Sequence, residues 1–205
     1  MKPVKKLIPT ASGTTGPFFP PHFFRAGDND LSIIEPGAPV ATGERIHIFG
    51  HLYEAGRVPR WNSIIELWQA DASGRFAHPN DPQAALADPH FLGWGRRASE
   101  TDGYFDFVTV KPGGFDDPYA RARRAPHINL SVTGSGMMRR LTTTLFFPDE
   151  PANATDPVMA AVTDPGLRPR LILQPASSDK APAGARSYRI DIVLRGDGET
   201  PFFVD

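Results

Sequence analysis

The chain has 205 residues, a formal net charge of −1 and no cysteine. A chain of this length suits one all-β domain or one compact domain with long loops, and it buries enough apolar surface to fold without disulfides. The small net charge gives no reason to expect nucleic acid or an anionic membrane as a partner. The missing cysteines exclude disulfides, thiolate metal ligands and cysteine nucleophiles.

The N-terminal segment is predicted to form an arm ahead of a single domain. It begins MKPVKKLIPTASG, without the apolar run of a signal peptide, and no stretch of the chain is apolar enough to span a membrane. We therefore expect a cytoplasmic protein. Proline and glycine punctuate residues 1–44, which fits neither a helix nor a long strand. We predict one domain over residues 1–205, with this arm (1–44) preceding a β-sandwich (45–205).

Regular structure is predicted from Arg45 onward. Apolar residues alternate with polar ones, as in half-buried strands, in RIHIFGHLYEA, NSIIELW, YFDFVTV, PHINLSVTG, LTTTLFF and a single closing strand through Tyr188, Ile190, Ile192 and Leu194. A helix is predicted within residues 153–162, because Thr155 or Asp156 precedes Pro157 there. Six or more short strands and one or two short helices predict an all-β sandwich with long loops rich in proline and glycine.

The residue pattern alone does not identify a reaction. His47 and His51 lie four apart on a predicted strand, roughly 13 Å from each other, so they cannot hold one metal ion. His127 and Asn129 face the same way, but one imidazole and one carboxamide make a poor iron site. No nucleophile elbow or glycine-rich phosphate loop is present, and the acidic pairs at 116–117 and 149–150 fit solvated turns.

Four segments nevertheless form a recognisable series. They read IIELWQADASGRFAHPND, GWGRRASETDGYFDFVTVKPG, RAPHINLS and TTTLFFPDE. In this order and with these gaps, residues from about 43 to 150 resemble the intradiol ring-cleavage dioxygenases. The opening PTASGTTGPFF and the closing YRIDIVLRGDGETPFF resemble the alpha chains of members that are built from alpha and beta chains. The resemblance thus spans nearly the whole sequence and implies the sandwich of that family.

The resemblance implies an iron site that this chain does not complete. Catalytic chains of the family hold non-haem Fe(III) with two tyrosinates and two histidines. The matching positions in this sequence are Phe76, Phe115, His127 and Asn129. Phenylalanine has no oxygen to donate, so three of the four ligands are replaced, and Tyr119 would supply only one more. We therefore expect no metal on this chain and Fe(III) on a partner.

The resemblance also implies a partner and a substrate. In these alpha–beta hetero-oligomers two similar sandwiches pair, and protocatechuate is cleaved with O2 to 3-carboxy-cis,cis-muconate, a step of aromatic-compound catabolism. The beta chain holds the iron, and a Thr-x-Gly-Pro stretch of the alpha chain lines the substrate pocket. The matching residues here are Thr14, Gly16 and Pro17, while Arg124 matches a substrate-assisting arginine that we expect to be structural. A module that binds aromatic acids without catalysis and a single-chain enzyme with unusual ligands are the alternatives.

Overall fold

The structure, a computed structural model, describes residues 21–117 and 121–203 together with Gly13, Gly16 and Phe19. The strands are β1 (Arg45–Tyr53), β2 (Ser63–Trp68), β3 (Trp94–Ala98), β4 (Tyr104–Val110), β5 (Phe115–Asp117), β6 (Ala122–Arg124), β7 (His127–Gly134), β8 (Leu141–Phe146), β9 (Gln174–Pro175), β10 (Arg186–Arg189) and β11 (Ile192–Val193). One α-helix, α1, spans Pro157–Ala161. Short 3₁₀ segments lie at Pro21–Phe23, Ala55–Arg57, Ala84–Leu86, Pro151–Thr155 and Pro165–Leu171.

Two sheets form the sandwich. In the first sheet β1 pairs antiparallel with β4 on one side and parallel with β10 and β11 on the other, and β9 adds to β10. The second sheet is antiparallel throughout, in the order β3-β2-β7-β8. Strands β5 and β6 pair as a separate hairpin. The predicted all-β sandwich with few and short helices is therefore confirmed.

A shared hydrophobic core joins the two sheets. Alternate residues of the longer strands point inward, and those from the first sheet meet those from the second in one cluster that includes Ile48, Phe107, Leu67 and Leu130. Leu31 and the nearby Ala41 are buried in the same cluster although they precede β1. The segment expected to be an arm therefore contributes to the core, and the proposed division of the domain stays a prediction.

The closing strand is two strands rather than one, which corrects the sequence prediction. The inward alternation is as expected, but β10 stops at Arg189 and β11 begins at Ile192. At the break, the backbone N–H of His51 donates to the Asp191 carboxylate at 3.2 Å. The carbonyl of Ile190 approaches Gly50 so closely that a methyl group there would overlap it. This close approach depends on a glycine in another strand, which periodicity cannot register.

The predicted helix is present as α1, and Asp156 caps it. The buried Asp156 carboxylate accepts hydrogen bonds from the backbone N–H groups of Val158 at 2.9 Å and Met159 at 3.4 Å. A second small core forms where the helix packs against the end of β8; its buried members are Ala125, Phe146, Met159, Val162 and Leu171. In the described ranges no helix is long and apolar enough to cross a membrane. The cytoplasmic location stays a prediction.

Candidate functional site

Two loops at one end of the sandwich carry the residues that match iron ligands. The first loop follows β2 and is built on Asp71, which is 3% exposed. The Asp71 carboxylate accepts hydrogen bonds from the backbone N–H groups of Ser73 at 2.8 Å and Arg75 at 3.0 Å. Phe76 follows directly, and its own N–H donates to the Asp81 carboxylate at 2.8 Å. These short-range bonds fix the position of Phe76.

Glycines allow the second loop to contact the first. The N–H of Gly113 donates to the carbonyl of Asp71 at 2.9 Å. A Cβ at Gly113 would lie 2.6 Å from the Ala72 carbonyl oxygen, and one at Gly74 would lie 2.5 Å from that of Gly114. Gly74 also has a φ of +78°, which other residues rarely adopt. The glycines of the two loops therefore allow β5, and with it Phe115, to lie beside Phe76.

The result is a continuous cluster of aromatic rings. The ring centroids of Phe76 and Phe115 are 5.1 Å apart at an interplanar angle of 88°, which is an edge-to-face contact. Trp68 stacks on the outer side of Phe76 at 5.9 Å. His127 lies 5.6 Å from Phe115 and 6.0 Å from Phe146. The structure thus brings three of the four ligand-matching residues together, and their side-chain rings contact one another; they are Phe76, Phe115 and His127.

His127 is held as a buried, neutral imidazole. It is 4% exposed, and its Nδ1 lies 2.7 Å from the Ala125 carbonyl oxygen. Because a carbonyl can only accept, Nδ1 carries the hydrogen of this bond. Burial lowers the pKa of His127 to about 4, and the nearby Arg124 guanidinium acts in the same direction, while the Ala125 carbonyl opposes them. The imidazole is therefore uncharged at neutral pH.

The fourth position, Asn129, lies beside this cluster on β7, two residues after His127. Its Oδ1 accepts a hydrogen bond from the Thr144 hydroxyl on the paired strand β8 at 3.0 Å. The donors present do not fit Fe(III): two phenyl rings have no lone pair, and the carboxamide oxygen is already bonded. Among the residues that the structure describes, no group of three or more histidine, cysteine or acidic side chains is arranged to hold a metal.

Arg124 has a structural partner in the site. Its Nε donates to the Asp156 carboxylate at 2.9 Å, and its side chain is 11% exposed while that of Asp156 is fully buried. The same carboxylate oxygen accepts from the backbone N–H of Ala125 at 2.9 Å. One carboxylate thereby joins the start of α1 to the end of β6. Sequence analysis found Asp156 as a helix signal but missed this ion pair, because its members are 32 residues apart.

The other candidates from the sequence lie as follows. Gly16 is exposed, and no atom of the described residues lies within 4 Å of the place where its Cβ would be. His47 is fully buried beside Asp106 in the first sheet, away from the ring cluster. The prediction of solvated turns holds only in part: Asp116 and Asp117 lie in strand β5 rather than in a turn, although Asp116 is 85% exposed, and Glu150 pairs with Lys111 at 2.6 Å. Thr14, Pro17 and Tyr119 lie outside the described residues.

Two open cavities flank Trp68, whose role the sequence analysis did not identify. One, of about 490 Å³, lies over the rings of Phe76 and Phe115. The other, of about 680 Å³, runs along the outer face of the second sheet past Asn129 and Arg124. Trp68 closes β2, is 40% exposed, and its ring lines both cavities. An outward-facing tryptophan at the end of a strand was the available signal.

Comparisons with known proteins agree on the family. The family model described as Dioxygenase matches residues 14–196. The protocatechuate 3,4-dioxygenase alpha chain of Pseudomonas putida is 35% identical over 98% of both chains. The beta chain from Burkholderia cepacia is 37% identical over 85% of this chain and 74% of its own length. The structure of 3-chlorocatechol 1,2-dioxygenase from Rhodococcus opacus 1CP shares the fold, with a TM-score of 0.62, 18% identity and coverage of 90% of this chain and 72% of that one. The chain therefore belongs to the intradiol ring-cleavage dioxygenases.

Proposed function

We propose that this chain is the alpha-type subunit of a protocatechuate 3,4-dioxygenase and that it holds no iron itself. The observation that carries the proposal is the identity of the side chains at the ligand-matching positions. Phe76 and Phe115 pack edge to face at 5.1 Å where the resemblance calls for tyrosinates, and Asn129 is hydrogen-bonded to Thr144. A catalytic chain of this family needs side chains that donate an electron pair to iron at these positions.

The coverage of the relatives supports the alpha assignment over the beta assignment. The beta chain is slightly more similar residue by residue, but the match leaves about a quarter of that chain unmatched. The alpha chain matches from end to end. In the proposed enzyme a homologous beta chain binds Fe(III), and the pair cleaves the bond between the two hydroxyl-bearing carbons of protocatechuate, adding both atoms of O2.

The proposed contribution of this chain is to shape the pocket and to exclude water. Thr14, Gly16 and Pro17 would line the substrate pocket on the partner. A glycine permits a close backbone approach and a proline stiffens it. Excluding water strengthens the electrostatic interactions that select the carboxylate of the substrate. Arg124, bound to Asp156 in this chain, keeps a structural role in the proposal.

The test is to reconstitute the activity from separate chains. O2 uptake with protocatechuate is measured for this chain, for its candidate beta chain and for the two co-expressed. We expect turnover only for the co-expressed pair. Turnover by this chain alone would contradict the proposal. Binding of protocatechuate by this chain alone, with no gain from the partner, would favour the non-catalytic module.

A matched pair of glycine variants tests the pocket-lining role. At both Gly13 and Gly16 an added Cβ would meet no atom of the described residues within 4 Å. We expect Gly16→Ala in the complex to raise KM for protocatechuate by roughly tenfold, because an added methyl group intrudes on a fitted pocket. Gly13→Ala should leave KM unchanged. Equal values of KM for both variants would refute the assignment of Gly16.

A further inference from the structure

The cleft over the ring cluster has a charge that does not suit an aromatic acid. Its volume is about 490 Å³, and its apolar floor is formed by the rings of Trp68, Phe76 and Phe115. Among the described residues that line it, the charged side chains are three carboxylates and one guanidinium: Asp81, Asp116, Asp117 and Arg123. The lining is therefore net negative, and it would repel the carboxylate of an anionic ligand.

The same arrangement favours an organic cation. The face of an aromatic ring is negatively polarised, and it attracts an ammonium or guanidinium group within about 6 Å of the ring centroid. Here aromatic rings and carboxylates line one open cleft. Arg123, which is 58% exposed, lines the same cleft and pairs with Asp116 at 3.4 Å, so a guanidinium of the chain itself already meets a carboxylate of the cleft.

We propose that this cleft binds a guanidinium or ammonium group attached to an apolar body. Free aromatic amines and the arginine or lysine side chain of a partner protein share this chemistry. The proposal does not depend on the proposed function, because it concerns only the charge and shape of this cleft.

Three probes of similar size separate charge from shape. Benzamidinium, benzyl alcohol and benzoate are titrated into the full-length chain by isothermal titration calorimetry, and N-acetylarginine amide is added as a fourth probe. We expect benzamidinium to bind at least about tenfold more tightly than benzoate, with benzyl alcohol between them. Binding of N-acetylarginine amide comparable to that of benzamidinium favours a protein side chain as the occupant, and much weaker binding of it favours a free aromatic amine.

Two variants with opposite expected effects locate the site. Asp116 is 85% exposed, so Asp116→Asn should fold normally and weaken benzamidinium binding about two- to five-fold. Arg123→Gln removes the competing cation and should tighten the binding by a similar factor. Asp102→Asn, at a carboxylate 65% exposed beside His51, is the control and should change nothing. Benzoate binding as tightly as benzamidinium, or no response to either cleft variant, would overturn the proposal.

Discussion

The buried imidazole of His127 makes stability depend on pH in a defined window. Its pKa of about 4 in the folded chain lies below the ordinary value near 6.5. The unfolded chain therefore binds a proton more readily between these values, and the folded chain loses stability as the pH falls from about 6.5 towards 4. At about 1.4 kcal/mol per pH unit, the whole interval amounts to about 3 kcal/mol.

Urea denaturation at pH 7.5, 6.5, 5.5 and 4.5 measures this loss. The matched variant is His127→Asn, which keeps an N–H donor for the Ala125 carbonyl but does not titrate in this range. We expect the variant to be less stable at pH 7.5, because the smaller side chain leaves a cavity, and to lose about 2 kcal/mol less between pH 6.5 and 4.5. Parallel pH curves for the two proteins would refute the account of a neutral, buried His127.

Three further variants test the architecture of the site. Asp156→Asn should keep the helix cap but leave Arg124 without its counter-charge, lowering the unfolding free energy in urea by about 3–5 kcal/mol; a loss below 1 kcal/mol would contradict this. Gly50→Ala should prevent normal folding as judged by circular dichroism, because its methyl group overlaps the Ile190 carbonyl, whereas Gly13→Ala should not. A third variant combines Phe76→Tyr, Phe115→Tyr and Asn129→His and so restores the iron-ligand side chains. It should bind Fe(III) and be coloured. A colourless, iron-free product would show that the four ligand positions do not converge on one metal ion.

Much of the fold could be predicted because strands encode their buried face locally. The strand Tyr104–Val110 was predicted with the bounds that the structure shows. A helix start at Thr155 or Asp156 was read from the neighbouring Pro157, and the cap is Asp156. The break at Ile190 could not be predicted in this way. It depends on the missing side chain of Gly50, which lies 140 residues earlier in the chain and meets Ile190 only after the sheet has formed.

The candidate site, like the fold, could be predicted only in part. Phe76 and Phe115 were found because the motifs around them resemble a family, and the reason for their proximity, the close packing of Gly74 against Gly114, needed the structure. The negative cleft was missed for a related reason. Asp81 lies in the loop after β2 and Asp116 lies in strand β5. Neither sequence segment by itself therefore indicates that both carboxylates line the same cavity.

Iron content per alpha–beta pair shows whether the iron lies on the partner alone. The co-purified complex and the lone chain are analysed for metal, together with the visible tyrosinate-to-Fe(III) charge-transfer band. We expect one iron for each pair and none in the lone chain, which should be colourless. Two irons for each pair, or iron and colour in the lone chain, would contradict this expectation and would mean that residues other than Phe76, Phe115 and Asn129 build a metal site.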